Sequence, residues 1–268
     1  MRKGVVMSLT HMELRRLHVS DHELIHQVVA ILRDTYHTEV SKFFIYHDVN
    51  YPHYLKTSLI DKKRFWVYYL ICPDERKIMG FAMLRIYKER LFLNQLIVLP
   101  EFRGKNLSEH ILKGVLESLL NEFGEKAFTD FELETFASNI GAKIIYERLG
   151  MISSAGSNWY DGNSLLDVKL EEELPKCSLN KDQYGFLQLS LNGKEIGTVI
   201  NAKLVKINID HTKMADVPIH FVNSVFPNNH ICLVSKQQLV LPLLDYTINY
   251  SLSIPRFKEM LHKEKPKS

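Results

Sequence analysis

The stretch Leu96-Ile-Val98-Leu-Pro100-Glu-Phe-Arg103-Gly104-Lys105-Asn106-Leu107-Ser108-Glu109 holds the most chemically suggestive pattern in the sequence. It closes an apolar, strand-like run and opens a stretch of helical periodicity. A helix start of this kind gathers backbone N–H groups and the positive end of the helix dipole on one point, which makes it an anion site. Arg103 and Lys105 add cationic reach. Taken alone, such a turn is a weak signal, because an ordinary strand-to-helix connection reads the same way. Other reactive side chains are less well placed. His22 and His26 stand four residues apart, but no cysteine or carboxylate accompanies them at metal-ligand spacing, so surface or packing roles fit better and no metal site is expected. Cys72, Cys177 and Cys232 are odd in number and far apart, giving neither a disulfide framework nor a CxxC pair. They fit a reducing compartment such as the cytoplasm, and none is placed as a nucleophile.

The elements that must carry these residues can be read from periodicity. Residues 12–19 read as a first strand. Ser20-Asp21-His22-Glu23 then forms an S-x-x-E capping box, and Leu24, Ile25, Val28, Val29, Leu32 and Tyr36 follow at helical spacing. Residues 45–61 suggest a short helix or loop. Strand-like runs at 65–72, 78–87 and 91–99, separated by polar turns, make an antiparallel meander. Leu107, Ile111, Leu112, Val115, Leu116, Leu119 and Leu120 form one helical stripe. Phe131, Leu133 and Thr135 then alternate with Glu132 and Glu134 as a strand. Residues 139–149 read as a helix stopped by Gly150, with further strands around 151–153 and 165–170. This order is α+β, a mixed central sheet flanked by helices.

Glu171-Glu-Glu-Leu-Pro175 reads as a boundary dividing residues 1–172 from 176–268. Beyond it, Leu187, Leu189 and Leu191 alternate with polar residues before an Asn192-Gly193 hairpin signal. Residues 199–209, 231–235 and 246–253 are β-prone, and a short helix begins near Pro255. The second part is thus expected to be a smaller β-rich domain. No internal repeat is visible.

Two motifs now bear on function. Val98, Pro100, Arg103 and Gly104 match, in register, the pyrophosphate-binding pattern V-x-P-x-x-R-G-x-G-x-G/A of the GNAT family of N-acetyltransferases. Leu133, Glu134, Asn139, Ala142, Tyr146, Leu149 and Gly150 match the same family's L-E-V-x-x-x-N-x-x-A-x-x-L-Y-x-x-L-G-F. The two follow in the expected order, and residues 10–170 resemble the family; residues 176–268 do not. The second motif is most similar to that of the ribosomal-protein alanine N-acetyltransferases. Asn106 stands where the family usually has glycine and Ser108 where it has Gly or Ala, so the cradle should be narrower but still work; Asn tolerates the left-handed geometry that such a turn needs, and Ser is small.

The resemblance implies acetyl-CoA, or another acyl-CoA, as cosubstrate. Leu96, Ile97 and Val98 would pair with the pantetheine arm, the Val98 N–H polarising the thioester carbonyl. Residues 104–109 (Gly104, Lys105, Asn106, Leu107, Ser108 and Glu109), with Arg103, would cradle the pyrophosphate. Asn139 would hold the pantetheine from the other side, Tyr146 would protonate the departing thiolate, and Glu134 would be the base. Simple packing for Tyr146 and ordinary strand exposure for Glu134 remain the competing readings. Tyr46, His47, Tyr51, His53 and Tyr54 would overhang the acceptor site, as substrate contacts or as a lid packed on the sheet.

Composition sets the remaining bounds. A hydrophobic fraction of 46% with 24% charged residues is ordinary for a globular chain, and the formal charge of +3 is mild. Nucleic acid and membrane are therefore not expected partners, and the amino terminus does not read as a signal peptide. The expected activity is acyl transfer to a primary amine of a small molecule or peptide, by direct attack in a ternary complex. The alternatives are a degenerate, non-catalytic binding module, or a protein acetyltransferase whose second domain recruits its target. Substrate binding, shaping of the acceptor cleft and dimerisation are all open to the second domain.

Overall fold

The computed structural model describes residues 12–35, 38–72, 77–165, 176–209 and 216–262. The first half of the chain runs β1 (Glu13–Arg16), α1 (His22–Thr35), α2 (Tyr51–Ser58), β2 (Phe65–Cys72), β3 (Lys77–Tyr87), β4 (Arg90–Val98), α3 (Leu107–Phe123), β5 (Asp130–Phe136), α4 (Ile140–Arg148) and β6 (Ile152–Asp161). The second half runs β7 (Cys177–Lys181), β8 (Leu187–Leu191), β9 (Lys194–Ile200), β10 (Leu204–Asn208), α5 (Asp216–Val225), β11 (His230–Ser235), β12 (Leu243–Ser253) and α6 (Ile254–His262). β2 and β3 are apolar almost throughout because both their faces are covered. Trp66, Tyr68, Leu70, Ala82 and Leu84 pack with α3, α4 and α6 on one face. Val67, Tyr69, Ile71, Phe81 and Met83 pack with α1 and α2 on the other. No described helix is long and apolar enough to cross a membrane.

All the strands form one sheet, in the order β1-β2-β3-β4-β5-β12-β6-β11-β10-β9-β8-β7. β12, from the end of the chain, lies between β5 and β6 and is antiparallel to both. β6 in turn pairs with β11 of the second half. Each half therefore lends one strand to the other. Outward from the β12–β6 seam, the halves repeat one plan: a lent strand, a strand (β5 or β11) parallel to its neighbour (β4 or β10), a helix between those two in sequence (α3 or α5), and an antiparallel run to the edge. The fold repeats where the sequence shows no repeat.

The expected boundary at 172–176 falls largely on residues outside those described, and the sheet does not stop there. The physical reason is the alternation in β12: Tyr250 and Leu252, with Ile254 and Phe257 after them, complete the first half's core. Phe257 stacks on Phe131 at 4.1 Å between ring centroids.

The second half is the reduced copy. Where the first half has α1 and α2, the second has a tight turn in which Asp182 Oδ1 accepts the N–H groups of Tyr184 and Phe186. The face left bare is covered by residues 38–54 of the first half. Val40 and Phe43 pack on Trp159 and Cys232, and Asn201 Nδ2 donates to the His47 carbonyl at 2.8 Å. Phe186 enters the core beneath α1 and α2, 5.7 Å from the Tyr54 ring. Tyr46 and Tyr51 are buried in that same core, so this aromatic cluster cements the two halves.

Several local expectations shift. α1 begins at His22, and Asp21 Oδ2 accepts the His18 N–H at 2.9 Å, so the S-x-x-E pattern does not start the helix as a box would. The run 199–209 is two strands, split by Asn201 and Ala202 with φ of 50° and 55°. The strand expected at 151–153 extends to Asp161. Leu165 lies in a single helical turn, and the rest of the expected 165–170 strand lies outside the described residues.

Candidate active site

β4 and β5 run parallel but pair only at Leu91–Phe131, Phe92–Glu132 and Leu93–Leu133. Beyond that point they part. The parting coincides with a bulge: Met83 faces Gln95 and Leu84 faces Leu93, leaving Asn94 as an extra residue that bends β4. The wedge between the strands is a cleft of about 710 Å³, ample for a cofactor-sized ligand.

Leu96, Ile97 and Val98 form one wall. The inner end is the start of α3, with Arg103, Gly104, Asn106, Leu107 and Ser108. Asn106 sits in the left-handed region at φ 56° and Gly104 at φ 78°, so asparagine holds the conformation that glycine adopts freely. The Asn106 side chain makes no capping hydrogen bond. The earliest α3 N–H to reach back to a carbonyl is that of His110, bonded to Asn106 O at 3.2 Å. The N–H groups before it belong to the helix start, where no intrahelical acceptor is available. Arg103 Nε donates to Val98 O at 3.1 Å, which folds its side chain back along the cleft mouth. Of the residues expected at the anion site, Lys105 and Glu109 do not line the cleft. Lys105 is exposed, and Glu109 pairs instead with Arg148, tying α3 to α4.

The opposite wall is α4. Asn139 caps it, its side-chain oxygen accepting the Ala142 N–H at 3.3 Å, which leaves the amide nitrogen for other use. Ala142, Ile145 and Tyr146 follow along the cleft at helical spacing from Asn139. Tyr146 is buried, its ring 5.5 Å from Tyr250 of the lent strand β12. Glu134 is exposed on the other face of the sheet from Phe131 and Leu133. It accepts a hydrogen bond from the Thr247 hydroxyl, also on β12, and does not line the cleft itself. Thr35, Thr38, Phe44, Phe136 and Ser138 line the cleft without having been singled out from sequence. Only Phe136 carried a signal, because it shares the β5 face of Glu134.

The thiols stand apart from this site. Burial pushes Cys232 up to about 12, so it is protonated at neutral pH. Cys72 and Cys177 are half-buried and line no part of the cleft.

Residues 26–151, which span the wedge, the anion turn and α4, match the sequence profile of the Acetyltransferase (GNAT) family. The chain carries a GNAT acetyltransferase domain. No curated protein matches the sequence. Among solved structures, a tandem GNAT protein from the clavulanic acid biosynthesis pathway, determined without AcCoA, is similar over 91% of this chain and 98% of its own, with a TM-score of 0.64 and 11% identity. An inferred acetyltransferase from Pyrococcus horikoshii is similar over 92% of this chain and 91% of its own, with a TM-score of 0.57 and 11% identity. Both establish the fold, and they extend it past the GNAT domain into the second half.

The second half's counterpart of the cleft is closed. β10 and β11 pair along five consecutive positions, Leu204–His230 to Asn208–Val234, and the Ile209 N–H continues the ladder to Val234 O at 2.9 Å. The strands never part, so no wedge forms there.

Proposed function

We propose that the β4–β5 cleft binds acetyl-CoA, or another acyl-CoA, and that the protein transfers the acyl group to a primary amine by direct attack. The observation that carries this reading is the parting of β4 and β5 toward an uncapped helix start held by left-handed Asn106. The fit is physical. An added Cβ at Gly104 would meet nothing within 4 Å, so the turn opens onto free space, and the helix-start N–H groups suit a pyrophosphate. Beyond Leu93, the β4 edge is free of the β5 ladder and can pair with an amide-bearing arm as with an added strand.

Leu96, Ile97 and Val98 bind that arm, and the Val98 N–H polarises the thioester carbonyl. Arg103 and Lys105 add charge at the pyrophosphate, and the Asn139 amide holds the arm from α4. The amine nitrogen attacks the carbonyl carbon and the C–S bond breaks. Glu134, directly or through a water, takes the amine proton; Tyr146 gives one to the thiolate. These two groups stand on opposite faces of the sheet edge: Tyr146 packs in the α3–α4 core, and Glu134 lies on the α1–α2 side. A proton is thus taken on the side from which the acceptor arrives and returned on the side where the thiol leaves. With no thiol at the cleft, no acyl-enzyme is expected.

Arg103→Glu together with Lys105→Glu tests the anion end. Both side chains are exposed, so melting temperature should change little, while acetyl-CoA affinity measured by calorimetry should fall at least tenfold. Unchanged affinity would move the pyrophosphate elsewhere.

A further inference from the structure

On the acceptor face a stripe of side chains crosses the seam between the halves: Glu134 on β5, Thr247 on β12, Trp159 on β6, Cys232 on β11 and Lys206 on β10. The register places them on one side. Thr247 lies beside Phe136, Trp159 beside Val234, and Cys232 beside Lys206. The Trp159 ring meets Phe136 at 5.2 Å and Phe44 at 5.8 Å, and those two residues line the cleft. The Lys206 ammonium lies over the same ring, 5.6 Å from its centre.

Among the described residues, two donors in this stripe have no acceptor. Trp159 is buried, and its Nε1 finds no hydrogen-bond partner among the described residues. Lys206 is half-buried, and among the described residues its ammonium makes no ion pair. Burial lowers the Lys206 pKa, with the Cys232 sulfur and the Glu134 carboxylate opposing. Asp161, across β11 from Lys206 in the register, is engaged by the backbone and side-chain N–H groups of Asn163. A partly desolvated ammonium and a buried indole N–H without acceptors form a place for an anion.

We propose that the acceptor is an amine that also bears a carboxylate, and that Lys206 with Trp159 Nε1 receives the carboxylate while the amine meets Glu134. This rests on the acyl-transfer reading above and names the class of substrate for it. β5 and β10 are four strand spacings apart, on the order of 19 Å at the backbone. Subtracting the inward reach of the glutamate and lysine side chains leaves roughly 10 Å between the charges. Allowing about 3 Å for the contact at each end, the substrate's own charges stand roughly 4–10 Å apart, which suits an amine several bonds from its carboxylate, as in a diamino acid or a short peptide, better than an α-amine beside its own carboxylate. The second half thereby gains a role, supplying Lys206 to a site whose chemistry lies in the first.

L-lysine and cadaverine differ only by a carboxylate, and the full-length chain can be assayed with each by thiol release from acetyl-CoA. Wild type should prefer lysine in kcat/KM by about ten- to a hundredfold, the scale of one charge-assisted hydrogen bond. Lys206→Met should erase that preference through KM, with kcat and acetyl-CoA affinity kept, and Lys206→Arg should retain most of it. Equal use of both amines by wild type, or a preference that survives Lys206→Met, overturns the proposal and leaves acyl transfer standing. Turnover of neither amine also overturns it; calorimetry with acetyl-CoA then shows whether the transferase reading falls too, which it does only if the cofactor fails to bind.

Discussion

Tyr146→Phe should lower turnover by roughly 10²–10⁴, the scale of one general acid, while acetyl-CoA affinity and melting temperature hardly move. The substitution keeps the ring and its packing 5.5 Å from Tyr250 and deletes only the O–H. A departing thiolate has a conjugate acid near ~8.5, below a phenol at ~10. Proton donation is therefore useful only from a group held at the right place, and α4 holds this one along the cleft wall. Glu134→Gln acts at the other end of the reaction: it keeps the size of the side chain but removes its capacity as a base, so turnover should fall on a similar scale while acetyl-CoA affinity holds. Both must be measured where chemistry limits the rate. A Tyr146→Phe enzyme with full turnover would return Tyr146 to a packing role and leave the thiolate to solvent.

A chain ending at residue 172 should not fold by itself. It lacks β12 and α6, and with them Tyr250, Leu252, Ile254 and Phe257, all buried in the first half's core. Four buried apolar side chains at about 1.5–3 kcal/mol each amount to ~6–12 kcal/mol, comparable with the ~5–15 kcal/mol that stabilises a whole domain. The loss also uncovers the β5 edge, a template for aggregation. By contrast, a full-length chain cut at a protease site engineered into 171–175 should elute as one particle, because the halves hold each other's strands. A soluble, cooperatively melting 1–172 fragment would show that the lent strand is dispensable.

The first half was legible because each of its signals is local. The alternation in β5, the stripe in α3 and the turn from Val98 to Ser108 each specify an element without reference to distant chain, and the motif spacing brought Asn139 and Tyr146 to one helix face. The strand exchange was not legible, because nothing in the sequence of β12 names its neighbours. Tyr250 and Leu252 announce a buried face, but either seam of the sheet would bury it. The second half hid its kinship to the first for a related reason. Its helices before β8 are reduced to a turn around Asp182, and residues 209–216 carry no glycine where the first half has Gly104. The motif residues of the first half cluster at the parted β4–β5 strands, and the second half, whose β10–β11 pair stays closed, keeps the architecture without them. Glu134 shows the remaining limit: its face could be read from alternation, but its Thr247 partner is 113 residues away.

Calorimetric titration of acetyl-CoA into the full-length protein asks whether the β4–β5 cleft is a cofactor site and whether the second half holds another. The parted β4–β5 pair and the closed β10–β11 pair together predict saturable binding at one equivalent per chain. No binding at millimolar cofactor, or two equivalents per chain, would contradict it.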